Sequence, residues 1–346
     1  MPISRRQVLS VCAGLAAWQA LPAASGLTSH VGPRFRLIID NDLSGDPDGL
    51  FQFVHHLLSP KADIRLVVGS HLHAGEPFAP TGSQARLAAE KAREVYSIMG
   101  LANPPPVLAG AEYAIADIAK VERTPAAEAI IAEAMRDDSP LPLYYCVGAG
   151  LTDLATALRL EPRIAGRMTL VWIGGEEYPG LGLPLPGPRQ AEYNTTIDVK
   201  AVQQVFNETD LAIWQVPRNV YRQMLVTFAE LEARLRPTGP LGVWLLGQLE
   251  GMVNMIATLP PSMGIRVGET YVLGDSPLVT LTSLQTFFEP DSASSPWVTR
   301  PRPTILADGG YGKPSKRKPI RVYTAIDTRL TFEDLYAKLA LFGKGR

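Results

Sequence analysis

Short apolar runs alternate along this chain with longer stretches whose apolar positions recur three and four residues apart. The short runs read as buried strands and the longer ones as amphipathic helices. The pattern predicts strands at Phe35–Ile39, Ile64–Val68, Pro106–Leu108, Leu143–Val147, Met168–Ile173 and Leu211–Val216. Helices are predicted between them at Leu50–Leu58, Ser83–Met99, Thr152–Arg159 and Val199–Phe206. A further helix runs to about Arg136, with Thr124 as N-cap and Pro125 at its first position. The second half is more helical, with helices at Phe228–Leu235, Leu241–Ile256 and Asp275–Leu284. Strands return at Thr304–Leu306 and Ile320–Thr324, and Thr331-Phe332-Glu333-Asp334 opens a last helix. Ser292–Pro303 and Gly309–Pro319 read as surface loops. Alternation of this kind predicts an α/β fold: a mostly parallel central sheet, open and doubly wound, flanked by helices.

Composition narrows the picture. With 346 residues and 46% hydrophobic content, the chain can fill one large core. Its 33 basic and 34 acidic residues leave a net charge of −1, which carries no electrostatic footprint for nucleic acid. The cluster Lys313, Lys316, Arg317, Lys318 reads as a solvated loop. No internal repeat or linker is evident, so residues 27–346 are expected to form a single domain.

The first 26 residues read as an export signal. Ser4-Arg5-Arg6-Gln7-Val8-Leu9 resembles a twin-arginine signal, followed by an apolar stretch to Ala20 and a small-residue segment. The apolar part is too short for a stable membrane span. The expected partner is the twin-arginine export machinery, and the expected destination is the periplasm or the exterior. Cys12 would leave with the signal, and Cys146 then stands alone as a buried thiol.

The candidate chemistry sits where the first strand stops. Asp40, Asp42, Asp46 and Asp48 follow the apolar run within nine residues, then an amphipathic stretch begins. Carboxylates this close repel one another unless a cation lies among them. Residues two apart on a strand share a face, which puts Asp40 and Asp42 on one side. Ligands of open α/β sheets bind beyond the carboxyl ends of strands. An EF-hand loop would need a glutamate at its twelfth position, where Phe51 stands. A haloacid-dehalogenase phosphatase would use Asp40 as nucleophile and require an aspartate after Gly274-Asp275 that Ser276-Pro277-Leu278-Val279 does not supply.

A third reading spans the chain. The acidic loop resembles the D-x-D-x-G-x-D-D signature of inosine–uridine-type nucleoside hydrolases. Cys146-Val147-Gly148-Ala149-Gly150-Leu151-Thr152-Asp153-Leu154-Ala155 resembles that family's G-P-L-T-N-L-A turn, and Val171-Trp172-Ile173-Gly174-Gly175 its V-x-M-G-G strand end. Ala191-Glu192-Tyr193-Asn194, with Asp198 beyond, resembles its A-E-F-N…D segment, Trp214-Gln215-Val216-Pro217 a later strand, and Gly274-Asp275 its last metal-binding aspartate. The resemblance implies calcium-dependent hydrolysis of the N-glycosidic bond of a ribonucleoside or related ribosyl compound. It implies Ca2+ held by Asp42, Asp48, Asp275 and the carbonyl of Gly148 or its neighbour, with Asp40 and Asp46 as further candidate ligands. Asp42 would be the general base, and Asp46, Glu192 and Asn194 would hold the ribose beside Tyr193. A homo-oligomer is implied in the same way.

Departures bear on turnover. The family's second paired aspartate is Gly49, an expected asparagine after the second strand is Ser70, and the histidine that often precedes the last aspartate is Gly274. Ser70 and His71 are carried as substrate-side candidates, His71 as a substitute leaving-group acid. The alternative is a non-catalytic ribose- or nucleoside-binding protein on the same fold.

Overall fold

The computed structural model describes residues 30–260, 266–286 and 294–345; the expected export signal lies outside the described residues. Strand β1 (Phe35–Asn41) is buried at all seven positions, as a central strand covered on both faces must be. It pairs in parallel with β2 (Ala62–Gly69) on one side and β4 (Leu143–Val147) on the other. Beyond β2 lies β3 (Val107–Ala109). Beyond β4 lie β5 (Thr169–Ile173), β6 (Ala212–Val216), β12 (Ile320–Tyr323) and the antiparallel edge strand β9 (Trp297–Arg300). The strand order therefore reverses between β1 and β4. Connections leave those two strands in opposite directions and open a crevice at their carboxyl ends.

Side-chain alternation along β1 divides the core in two. Leu37 and Ile39 belong to one apolar cluster and Ile38 to the other. The first is closed by α1 (Asp48–Leu57), α2 (Gln84–Ile98), α8 (Phe228–Leu235), α9 (Pro240–Ala257), α10 (Pro277–Thr282) and α11 (Thr328–Lys344). The second is closed by α3 (Pro125–Ala134), α4 (Thr152–Leu160) and α6 (Val199–Glu208). Each fully buried leucine or isoleucine contributes about 2 kcal/mol through apolar burial. The central strand is thus anchored from both faces, and its end is a rigid place to mount chemistry. Among the described residues no helix is long and apolar enough to cross a membrane.

The predicted elements return with three corrections. The segment 292–303 contains β9, which pairs with β12, and 309–319 contains β11 (Tyr311–Pro314), which pairs with β10 (Pro303–Ile305). Neither is a plain loop, because partners distant in sequence satisfy their backbones. The last helix starts at Thr328, not at Thr331, since Asp327 caps it by accepting from the Leu330 amide at 2.8 Å. A two-stranded ladder of β7 (Leu225–Thr227) and β8 (Thr270–Val272) had no sequence signal. The Thr124 cap is as expected, accepting from the Ala127 amide at 3.1 Å ahead of Pro125.

Candidate active site

The crevice at β1 and β4 holds a cavity of about 290 Å3. Asp42 enters from the turn after β1, Asp46 and Asp48 from the start of α1, and Gly148 from the end of β4. Asp275 enters from the turn before α10. Asp275 and Asp48 are joined directly: the Asp275 amide donates to Asp48 Oδ2 at 3.2 Å. Asp48 Oδ1 accepts from the Gly49 amide at 2.8 Å, and Asp46 Oδ1 from the Asp48 amide at 3.3 Å. Asp48 is the first helical residue rather than an N-cap, a position taken by Pro47. Asp42 and Asp275 are buried, and Asp46 is exposed at the rim.

Glycine at 148 is required by this approach. A Cβ there would stand 2.2 Å from Asp275 Oδ2 and 2.6 Å from Asn41 Nδ2. Gly49 has a related reason: a Cβ would stand 2.8 Å from Asn41 Oδ1, so an aspartate there, as the resemblance leads one to expect, would strike the Asn41 amide. Asn41 Nδ2 instead donates to Asp275 Oδ2 at 2.8 Å and to Gln52 Oε1 at 3.1 Å. Gln52 continues to His56 Nδ1, and His56 Nε2 donates to Thr282 Oγ1 at 3.0 Å. Thr282 closes α10, seven residues past Asp275, so the polar chain forms a ring through α1 and α10. Burial holds the His56 imidazole neutral, well below its usual range.

Burial and mutual repulsion dominate the electrostatics. Burial, then the charges of Asp275 and Asp46, push the Asp42 carboxyl well above the usual carboxylate range. Asp48 rises for the same reasons. Burial raises Asp275 to about 7 against the opposing hydrogen bond from Asn41. No lysine or arginine among the described residues forms an ion pair with any of these groups. Oxygen donors rich in carboxylate and free of soft ligands fit a hard divalent cation. The fit is one of donor chemistry: among the described residues no three acidic, histidine or cysteine side chains already stand together as a metal cage.

Not every predicted residue reaches the cavity. Asp40 is fully buried behind it, accepting from Tyr145 Oη at 2.5 Å and from Ser70 Oγ. Its burial lifts it to about 6 against those bonds. The strand explains this placement: Asp40 shares the face of Ile38 and points into the second core, and β1 ends before Asp42, which turns into the crevice. Ser70 therefore supports Asp40 and does not line the cavity. His71 does not line it either. Its ring is buried between Leu72 O (Nδ1, 2.9 Å) and Thr152 Oγ1 (Nε2, 3.0 Å), where it cannot reach a leaving group.

Glu192 lines the cavity as the N-cap of α5 (Tyr193–Ile197) and is fully buried. Its oxygens accept from the amides of Gly175 (2.8 Å), Asn194 (3.0 Å) and Thr195 (3.0 Å), and from Tyr221 Oη (3.0 Å). Most of its capacity is thus spent on the backbone and on Tyr221. Asn194 donates to Ile173 O at 2.8 Å, and Tyr193 stands 40% exposed beside it as a wall. Sequence reasoning missed Leu72, Glu76, Phe78, Ile173, Tyr221, Arg222 and Val272, which complete the lining. Tyr221 and Arg222 lie at the end of α7 (Arg218–Tyr221), just past the β6 strand end, and that position at the sheet's carboxyl edge was the available signal.

The family model for inosine-uridine preferring nucleoside hydrolases matches residues 37–273. The chain belongs to that family. The match ends two residues before Asp275, whose place in the site rests on its contacts with Asp48 and Asn41. The inosine-uridine preferring nucleoside hydrolase of Leishmania major is 33% identical over 111 residues, 32% of this chain and 33% of that protein. The chain thus aligns with about a third of that curated relative's length. Solved nucleoside hydrolases share the fold. The purine-preferring ribonucleoside hydrolase of Gardnerella vaginalis superposes with TM-score 0.67 at 17% identity, covering 89% of this chain and 99% of that one. The plant nucleoside hydrolase PpNRh1 gives 0.66 at 18%, covering 89% and 99%. The inosine-uridine preferring nucleoside hydrolase of Bacillus anthracis gives 0.61 at 18%, covering 88% and 99%.

Proposed function

We propose that this chain is a calcium-dependent N-ribohydrolase acting on ribonucleosides or a related ribosyl compound. The observation that carries the proposal is the convergence of Asp42, Asp46, Asp48 and Asp275 on one cavity at the sheet's switch point, in a member of this family. Asp42, Asp48, Asp275 and the Gly148 carbonyl would hold the ion. When bound, calcium supplies charge neutralisation for the carboxylates and a grip on sugar hydroxyls. Asp42, as the ionised carboxylate, takes a proton from the attacking water. The remaining carboxylates stabilise the positive charge that develops on the sugar as the C1′–N bond breaks. Asn194, fixed by Ile173 O, offers its carbonyl oxygen to a ribose hydroxyl, and Asp46 meets another from the rim. Asp40 and Tyr145 hold the strand end that aims Asp42.

The test is ribose release from inosine, uridine and nicotinamide riboside, with and without chelator. Release that stops with chelator and with Asp42→Ala supports the enzyme, whereas tight binding with no release supports the ribose-binding alternative. The Ser4-Arg5-Arg6 segment supports a proposal of twin-arginine export to the periplasm or exterior, which cell fractionation tests.

A further inference from the structure

Asp42, Gly148, Glu192 and Asp275 form the buried floor of the cavity, whereas Glu76, Phe78, Tyr193, Tyr221 and Val272 form a partly exposed rim. Among the described residues six carboxylates line the whole, Asp42, Asp46, Asp48, Glu76, Glu192 and Asp275, against one guanidinium, Arg222. A bound divalent ion and Arg222 together offset half of that charge. The chain's histidines are His30, His55, His56, His71 and His73, and none of them lines the cavity. His55 and His56 are buried on α1, His71 is held by Thr152, and His73 is exposed with Nδ1 on the Ala74 carbonyl at 3.1 Å. Gly274 lines the cavity with no side chain to offer. The Tyr221 hydroxyl is already donated to Glu192 and the Tyr193 hydroxyl to Glu76.

This is a poor place to protonate a departing neutral base and a good one to hold a cation. Aromatic faces beside a carboxylate attract positive charge. We propose that the preferred substrates are ribosides whose leaving group already carries a positive charge, N-ribosylpyridinium compounds above all; the inference rests on the hydrolase reading. In the reaction, water oxygen bonds to C1′ and gives its proton to Asp42. The C1′–N bond breaks with its electron pair moving onto the ring nitrogen, which cancels the ring's charge. Cationic riboside and water become ribose, a neutral heteroarene and one proton, which Asp42 passes to solvent. No leaving-group acid is needed, which suits Gly274. Glu76, placed among the rim aromatics, is the residue we assign to recognition of the charged ring.

Two measurements on the full calcium-loaded chain test this. The first is calorimetric binding of 1-methylnicotinamide against nicotinamide, rings that differ only by a methyl and a charge. The charged ring is expected to bind at least about tenfold tighter, and Glu76→Gln to shrink that ratio several-fold. Equal binding of the two rings, or a ratio indifferent to Glu76→Gln, overturns the inference. The second is kcat/KM for nicotinamide riboside against uridine and inosine, with at least about a hundredfold preference for the charged riboside expected. Turnover of uridine or inosine at or above the charged riboside overturns the inference and leaves the hydrolase reading standing. Absence of ribose release from all three overturns the hydrolase reading and the inference with it.

Discussion

At the scale of single residues, the site depends on which oxygen faces which neighbour. Asp42 has no cationic partner and is lifted by burial and by Asp275, so its removal should strike the chemical step. Asp42→Asn is expected to lower kcat about a thousandfold and, as a lost ion ligand, to raise the calcium concentration needed for activity, both read from initial-rate ribose assays. Gly148→Ala would push a methyl into Asp275 and Asn41, and calcium affinity should fall on the order of tenfold to a hundredfold. Calcium titration followed by thermal shift measures this, and an unchanged affinity would remove Gly148 from the ion site. The sequence made Asp42, Asp46 and Asp48 legible because charge clustered after a buried run has few structural uses; Asp275 was reached only through the resemblance of Gly274-Asp275 to the family's last metal-binding aspartate. It could not separate Asp40 from Asp42, since strand alternation puts both on one side only if the strand continues past Asn41. Gly49 reads as a lost ligand until Asn41 is seen to occupy the space a side chain would need.

At the scale of elements, two joints test how helices are fastened to the sheet. His55 on α1 donates Nε2–H to Asp334 on α11 at 2.7 Å, while its Nδ1 is buried without a partner. Protonation would place charge on that nitrogen, and burial lowers the imidazole from 6.5 to about 4 despite Asp334, with Lys338 adding repulsion. The unfolded chain therefore binds this proton more tightly than the folded one. Stability from His55 is full above pH 6.5 and lost as pH falls from there toward 4. The cost should reach about 2 kcal/mol near pH 5. Urea unfolding at pH 5 and 7 checks this, and His55→Gln should flatten the difference. Arg302, fully buried at the start of the β10 segment, gives its guanidinium to the carbonyls of Lys318 (3.0 Å), Thr209 (2.8 Å) and Leu211 (2.5 Å). Arg302→Leu strands those acceptors and should cost about 3 kcal/mol in the same assay. Helices with period and cap, such as α3 behind Thr124, were legible. The strands β7, β8 and β11 were not, because a three- or four-residue strand carries little pattern of its own and exists through its partner, although β10 was read to within a residue.

At the scale of the whole molecule, the doubly wound order could be read from β-α alternation, and the switch between β1 and β4 locates the crevice. The rim could not be read, because Glu76, Tyr193, Tyr221 and Val272 arrive from separate crossovers and share no sequence signature. Calcium, if held as proposed by Asp42, Asp48, Gly148 and Asp275, should raise folded-state stability by about 2.7 kcal/mol at a hundred times its Kd. Differential scanning with and without chelator reads this directly, and an unmoved transition would leave the acidic floor without its ion. The ring of polar contacts from Asp275 through Asn41, Gln52 and His56 to Thr282 implies that the acidic floor proposed to bind the ion and the seating of the C-terminal helices are one cooperative event. A change as remote from the sugar as Thr282→Val would then loosen the grip on calcium, and a chain still being synthesised would own no catalytic centre until its last third had docked.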